Sequence, residues 1–161
     1  MGFSEVPLMR KQIAVIGGGV CSPEVAAQAE AIGLALAKRG VVVVCGGLGG
    51  VMEAVSRGAK HAGGMVVGIL PEATFAGGNP WLDVVIPTGL GHARNVLVVA
   101  SGCSVIALPG EHGTAAEIHL ARVLGRPVVA LGAWRDIPGV YYVEDAPSAV
   151  EVSCRLCGWE D

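Results

Sequence analysis

The sequence predicts an α/β fold: one domain over residues 1–161 with a mostly parallel sheet and helices on both faces. Three observations predict it. Strand-like apolar runs alternate with helical stretches along nearly the whole chain. Hydrophobic residues make up 52% but aromatics only 4%, so the apolar mass is Val, Ala, Leu and Ile, as in buried parallel strands under Ala-rich helices. The 25 glycines are about twice the average frequency and gather at strand ends, which marks them as loop chemistry.

The elements follow in order. Residues 13–16 form a strand, and Gly17-Gly18-Gly19 ends it. A helix over 23–39 has Ser22 as its N-cap and Pro23 at its first position, and Gly40 closes it. Residues 41–45, four valines and a cysteine, are a fully buried strand, and a helix over 50–61 stops before Gly63 and Gly64. A strand over 65–70, a Gly-, Asn- and Pro-rich loop over 71–81 and a short strand over 83–86 come next. Residues 91–101 read as a helix, although Val96 to Val99 would also suit a strand, because Gly102 then ends the helix and 103–108 makes the better strand. After a loop over 109–113 come a helix over 114–124, strands over 127–131 and near 140–143, and a helix over 147–156. Residues 1–11 read as a flexible N-terminal arm. Such β-α alternation implies right-handed crossovers and a Rossmann-like sheet, whose ligands sit at the carboxyl ends of the strands near the switch in strand order.

The net charge of −3, the lack of any basic run beyond Arg10-Lys11 or Lys38-Arg39, and the scarcity of aromatics argue against nucleic acid as a partner. Residues 1–12 lack the apolar core of a signal peptide, and the most apolar stretch, 96–108, is interrupted and too short for a bilayer. The chain therefore reads as soluble and cytoplasmic, with its five cysteines reduced. Cys154 and Cys157 form a CxxC without the second pair that zinc requires, and no metal site is expected.

Three glycine loops carry the chemistry. Gly17-Gly18-Gly19 resembles a dinucleotide fingerprint, but Ser22 stands where its third glycine belongs and no acid lies between Ala31 and Glu53 for the ribose. NAD is therefore not expected. Gly46, Gly47, Gly49 and Gly50 join a buried strand to a helix, where backbone N–H groups can meet an anion; the same glycines also serve a tight turn. Gly110, Gly113 and Thr114 in the third loop offer two N–H donors and a hydroxyl at a helix start. Thr114 and Glu117 equally form a capping box, and Glu24, Glu53 and Glu117 fall in first helical turns where acids stabilise without function. Arg94, near the start of the helix before the fifth strand, can contact phosphate through two nitrogens. Of the histidines, His92 and His112 lie in these loops.

These residues resemble the LOG or "lysine decarboxylase-like" superfamily within the Smf/DprA–LOG Rossmann group. The matching segments are Gly46 to Glu53, then Arg94, then Pro109 to Glu117, with the 23-residue step from Arg94 to Glu117 in agreement with the family spacing. Gly68 to Pro71, Gly78 to Pro80 and Thr88 to Leu90 resemble a compact subgroup that includes molybdenum-cofactor carrier proteins. Glu111 departs from the second glycine of the Pro-Gly-Gly found in cytokinin-activating members. Lysine decarboxylation does not fit, because none of Lys11, Lys38 and Lys60 lies in a site loop to form the pyridoxal (PLP) Schiff base.

The resemblance implies one of two functions. In the first, the glycine loops and Thr114 hold a nucleotide or a phosphorylated pterin such as molybdenum cofactor, which the protein carries. In the second, they hold a nucleoside 5′-monophosphate whose N-glycosidic bond is hydrolysed with Arg94 and Glu117 as catalytic residues. The resemblance also implies a homodimer or higher homo-oligomer, as does the apolar helix around 96–100.

Overall fold

The computed structural model describes residues 10–132 and 134–159. Apart from Arg10 and Lys11, the expected arm over 1–11 lies outside the described residues. The chain runs β1 (Gln12–Ile16), α1 (Pro23–Lys38), β2 (Val42–Cys45), α2 (Val51–His61), β3 (Val66–Leu70), β4 (Val84–Pro87), α3 (Asn95–Ala100), β5 (Val105–Ala107), α4 (His112–Val123), β6 (Val128–Leu131), β7 (Tyr141–Val143) and α5 (Ala146–Leu156). The seven strands make one parallel sheet in the order β4-β3-β2-β1-β5-β6-β7. The chain winds outward from β1 to β4 and then returns to the other side of β1 as β5. The chain therefore leaves β1 and β5 toward opposite faces of the sheet, and a crevice opens at the carboxyl ends of these two strands.

The side chains divide between two faces with the period of a strand. Ile13, Val15, Val43, Ile106 and Val129 pack with α1, α2 and α5. Ala14, Ile16, Val44, Val105 and Val128 pack with α3 and α4. The ambiguous segment over 91–101 is helical, as expected: a 3-10 turn over Gly91–Arg94 runs into α3, which buries Val98 and Val99. Its apolar run is that of a crossover helix on the sheet, and the strand beside it is β5.

Two expectations are corrected. Helix α4 begins at His112 rather than 114, with Glu111 as N-cap, because Ala115 N–H already reaches the Glu111 carbonyl at 3.0 Å. Thr114 thus lies within the first turn and Glu117 in the second, so they form no capping box. The cysteines are not all reduced: Cys103, in the turn before β5, forms a disulfide with Cys157 at the end of α5, their Cα atoms 5.9 Å apart. The two positions are 54 residues apart in sequence, and only the packing of α5 along the sheet joins them. Cys154 remains a buried thiol. Among the described residues, no helix is long and apolar enough to cross a membrane.

Helices α1 and α2 meet at two glycines. A Cβ on Gly33 would lie 2.1 Å from the Val55 carbonyl, and one on Gly58 would lie 2.0 Å from the Glu30 carbonyl. Each helix thus needs a bare backbone where the other crosses. Gly58→Ala should destabilise the protein by about 2–3 kcal/mol in urea unfolding, although alanine alone would favour the helix by roughly 1 kcal/mol. A variant as stable as wild type would show that this crossing is loose.

Candidate functional site

A cleft of about 500 Å³ opens at the carboxyl ends of β1, β2 and β5. Its walls come from Gly17 to Val20 after β1, Gly46 and Leu48 after β2, His92 and Arg94 before α3, Asn95 at the start of α3, and the first turns of α4. Gly17, Gly18, Gly19, Gly46, Arg94, Gly113, Thr114 and Glu117 all border it, as do His92 and Glu111. Gly47, Gly50, Gly110 and His112 do not. Leu48, Met52, Val20 and Asn95 also border it, although the sequence marked none of them. Asn95 was the one within reach of sequence reasoning, as a polar residue directly after Arg94.

Backbone contacts position the loops. Gly18 donates to the Pro109 carbonyl at 2.9 Å and accepts from Val51 N–H at 3.0 Å. A Cβ on Gly50 (φ +62°) would strike the Gly18 carbonyl at 2.2 Å, and one on Gly110 would strike Thr114 Oγ1 at 2.2 Å. Gly47 (φ +78°) turns the second loop, whose Gly47 and Leu48 carbonyls accept from the backbone and side chain of Asn79. Gly47, Gly50 and Gly110 therefore hold loops together, and the turn reading of the second loop is the one its geometry supports. Gly19 and Gly113 differ: a Cβ on either meets no atom within 4 Å, and neither needs a positive φ.

The three nearby helix starts are not equivalent. Ser22 Oγ accepts from Val25 N–H at α1, and the Gly18 carbonyl takes the first N–H of α2. Helix α4 has no side-chain cap. Among the described residues, no acceptor meets the N–H groups of His112, Gly113 and Thr114, and the latter two residues border the cleft. Orphan donors and the positive end of the helix dipole are the features that favour an anion at a helix start.

Arg94 is buried rather than a surface arginine. Its Nε donates to the Ile69 carbonyl at 2.9 Å, one terminal nitrogen donates to the Gly46 carbonyl at 3.4 Å, and the other meets Asn95 Oδ1. The guanidinium thus ties the ends of β2 and β3 to the start of α3. A Cβ on Gly46 would lie 2.8 Å from it, so that glycine makes its room. With three nitrogens engaged by the protein, the expected two-nitrogen clamp on phosphate is reduced to the remaining N–H groups.

Glu117 stands beside this charge with no hydrogen-bond partner among the described residues. Burial pushes its carboxyl up to about 7, with the attraction of Arg94 opposing the rise. Burial also raises the Cys45 thiol, which lies below the site against Ser56. Among the described residues, no group of His, Cys, Asp and Glu could hold a metal ion.

The raised Glu117 makes the protein without ligand weaker in alkali. Its folded value lies above the ordinary 4.5, so its contribution is complete below that pH and is lost as pH rises through about 7. The loss is of order 3 kcal/mol by pH 8. Glu117→Gln should abolish this slope, so that the variant gains on wild type by roughly that amount between pH 5 and pH 8 in urea unfolding. Parallel curves for the two proteins would show that the carboxyl titrates as in water.

Known proteins share this fold. An uncharacterized protein of Archaeoglobus fulgidus is 42% identical over 139 residues, which is 86% of this chain and 91% of the relative. The molybdenum cofactor binding protein of Rippkaea orientalis superposes with a TM-score of 0.87 at 32% identity, over 90% of this chain and 96% of that one. The molybdenum cofactor carrier protein of Chlamydomonas reinhardtii gives 0.84 at 30% identity, over 92% and 99%. The model of the SLOG cluster4 family matches residues 10–152, which hold every strand and every site loop, and the chain belongs to that family.

Proposed function

We propose that the chain binds a phosphate-bearing small molecule in this cleft and carries it, a phosphorylated pterin such as molybdenum cofactor being the best fit. The observation that carries this reading is the uncapped start of α4, where Gly113 and Thr114 border the cleft and their backbone N–H groups meet no acceptor among the described residues. The volume, about 500 Å³, is in the ordinary range for small-molecule sites. The Rippkaea protein is named for binding molybdenum cofactor, which supports the ligand class, and the Chlamydomonas protein for carrying it, which supports carriage. The glycine backbone and Thr114 would seat the phosphate, and the deeper walls would take the ring.

A second reading, hydrolysis of the N-glycosidic bond of a nucleoside 5′-monophosphate, is favoured by Glu117. An acid held near 7 beside a fixed cation suits general acid or base work. Under carriage, a phosphorylated pterin or nucleoside monophosphate at a hundred times its Kd stabilises the fold by about 2.7 kcal/mol, or a rise in Tm of roughly 5–10 °C. The ligand without its phosphate should do far less, and chromatography should find no released base. Equal shifts with and without phosphate would refute the cradle, and base release would move the assignment to the second reading.

We also propose that the chain forms a homodimer. Val84 and Ile86 on edge strand β4 lie in register with Val67 and Ile69, hence on the α3 face, and they are exposed along with Val96 and Leu97 of α3. An open apolar edge of this kind is normally covered. Light scattering at micromolar concentration should give twice the chain mass, and Ile86→Lys with Leu97→Glu should give the mass of one chain.

A further inference from the structure

Asn95 and Glu117 are buried polar residues that border the cleft. They are only 5% and 9% exposed. Among the described residues, no protein group bonds the Asn95 amide nitrogen or either Glu117 oxygen, yet none of these atoms is sealed off. Both residues border the cleft, so that is where they look. A buried amide and a buried carboxyl without partners are costly unless something else completes them.

Arg94 settles which way the amide faces. A guanidinium has donors and no acceptor, so the Asn95 atom that meets it must be the oxygen. The Nδ2 donor is thereby left on the free side. The same guanidinium attracts Glu117. A donor and an acceptor of known sense thus belong to two residues that border one cleft beside one cation.

We propose that Asn95 and Glu117 together read the amide edge of a 2-amino-oxo heterocycle, the edge that pterins share with guanine. The Glu117 carboxylate accepts from the ring N–H and the exocyclic amine, while Asn95 Nδ2 donates to the ring carbonyl. This rests on the phosphate-binding reading above and adds the identity of the ring. An adenine presents a ring nitrogen lone pair where the ring N–H should be, which leaves the carboxylate facing a second acceptor. Sites built to bond a particular N–H reject analogues that lack it strongly, because their own buried groups are then left unpaired.

The probes are the 5′-monophosphates of guanosine, inosine and adenosine, with inorganic phosphate as the control for the seat alone. Binding is measured by calorimetry at pH 8, where Glu117 is mostly ionised. The guanosine compound should bind at least tenfold more tightly than the adenosine compound, as expected for loss of a hydrogen bond to a charged group. Inosine monophosphate, which lacks the exocyclic amine, should fall between them. Glu117→Gln should weaken the guanosine compound roughly tenfold or more and leave the adenosine compound and phosphate within about threefold. Asn95→Asp keeps an oxygen for Arg94 but removes the donor, and it should cut the same preference severalfold, with the part that Glu117 supplies remaining, at an unchanged melting temperature. Equal binding of the guanosine and adenosine compounds by wild type would overturn edge recognition while the phosphate seat stands. If neither the monophosphates nor phosphate bind, the phosphate-binding reading and the edge proposal fall together.

Discussion

Gly18 is bonded on both sides of its peptide, to the Pro109 carbonyl after β5 and to the first N–H of α2. That pair of bonds draws three loops together at the switch in strand order. It can form only where backbones touch without side chains between them. A Cβ on Gly17 would lie 2.7 Å from Val51, and those on Gly50 and Gly110 would collide with Gly18 and Thr114. The glycines of the three loops therefore differ in task. Most let loops approach each other, while Gly19 and Gly113 leave the cleft open.

This close approach decides where free N–H groups remain. The starts of α1 and α2 are satisfied by Ser22 and by Gly18 itself. At α4, by contrast, Glu111 makes no side-chain bond to the first donors, and no other acceptor meets them among the described residues. An anion bound there meets donors already held in place by the fold, with little ordering left to do on binding.

Arg94 sets the opposite wall. It fastens the carbonyls of Ile69 in β3 and Gly46 after β2, which stiffens the floor of the cleft, and its charge favours the ionised form of Glu117. The pair is no locked salt bridge. Glu117 sits in an environment that favours its neutral form strongly enough to balance the attraction, so the carboxyl stays available to a ligand. A site with an orphan-donor rim and an acceptor at depth is suited to a molecule anionic at one end and rich in N–H at the other.

Much of this was legible in the sequence. Buried β-branched runs between glycine turns marked β1, β2, β3 and β6, because strands covered on both faces must be apolar throughout. Gly46, Arg94, Gly113, Thr114 and Glu117 were marked as site residues by their order and spacing, and all border the cleft. Tertiary structure alone decided what each does. The start of α4 depended on which carbonyl Ala115 could reach, so a capping box that the local pattern allowed did not form. Arg94 became a tie between strand ends because the sheet brings Ile69 and Gly46 beside it, 25 and 48 residues away. The pairing of Cys103 with Cys157, and the raised Glu117, likewise depend on packing between distant segments. Local sequence sets which backbone shapes and apolar faces are available; burial and long-range partners exist only once the sheet is closed, and these assign charge, bonding and access.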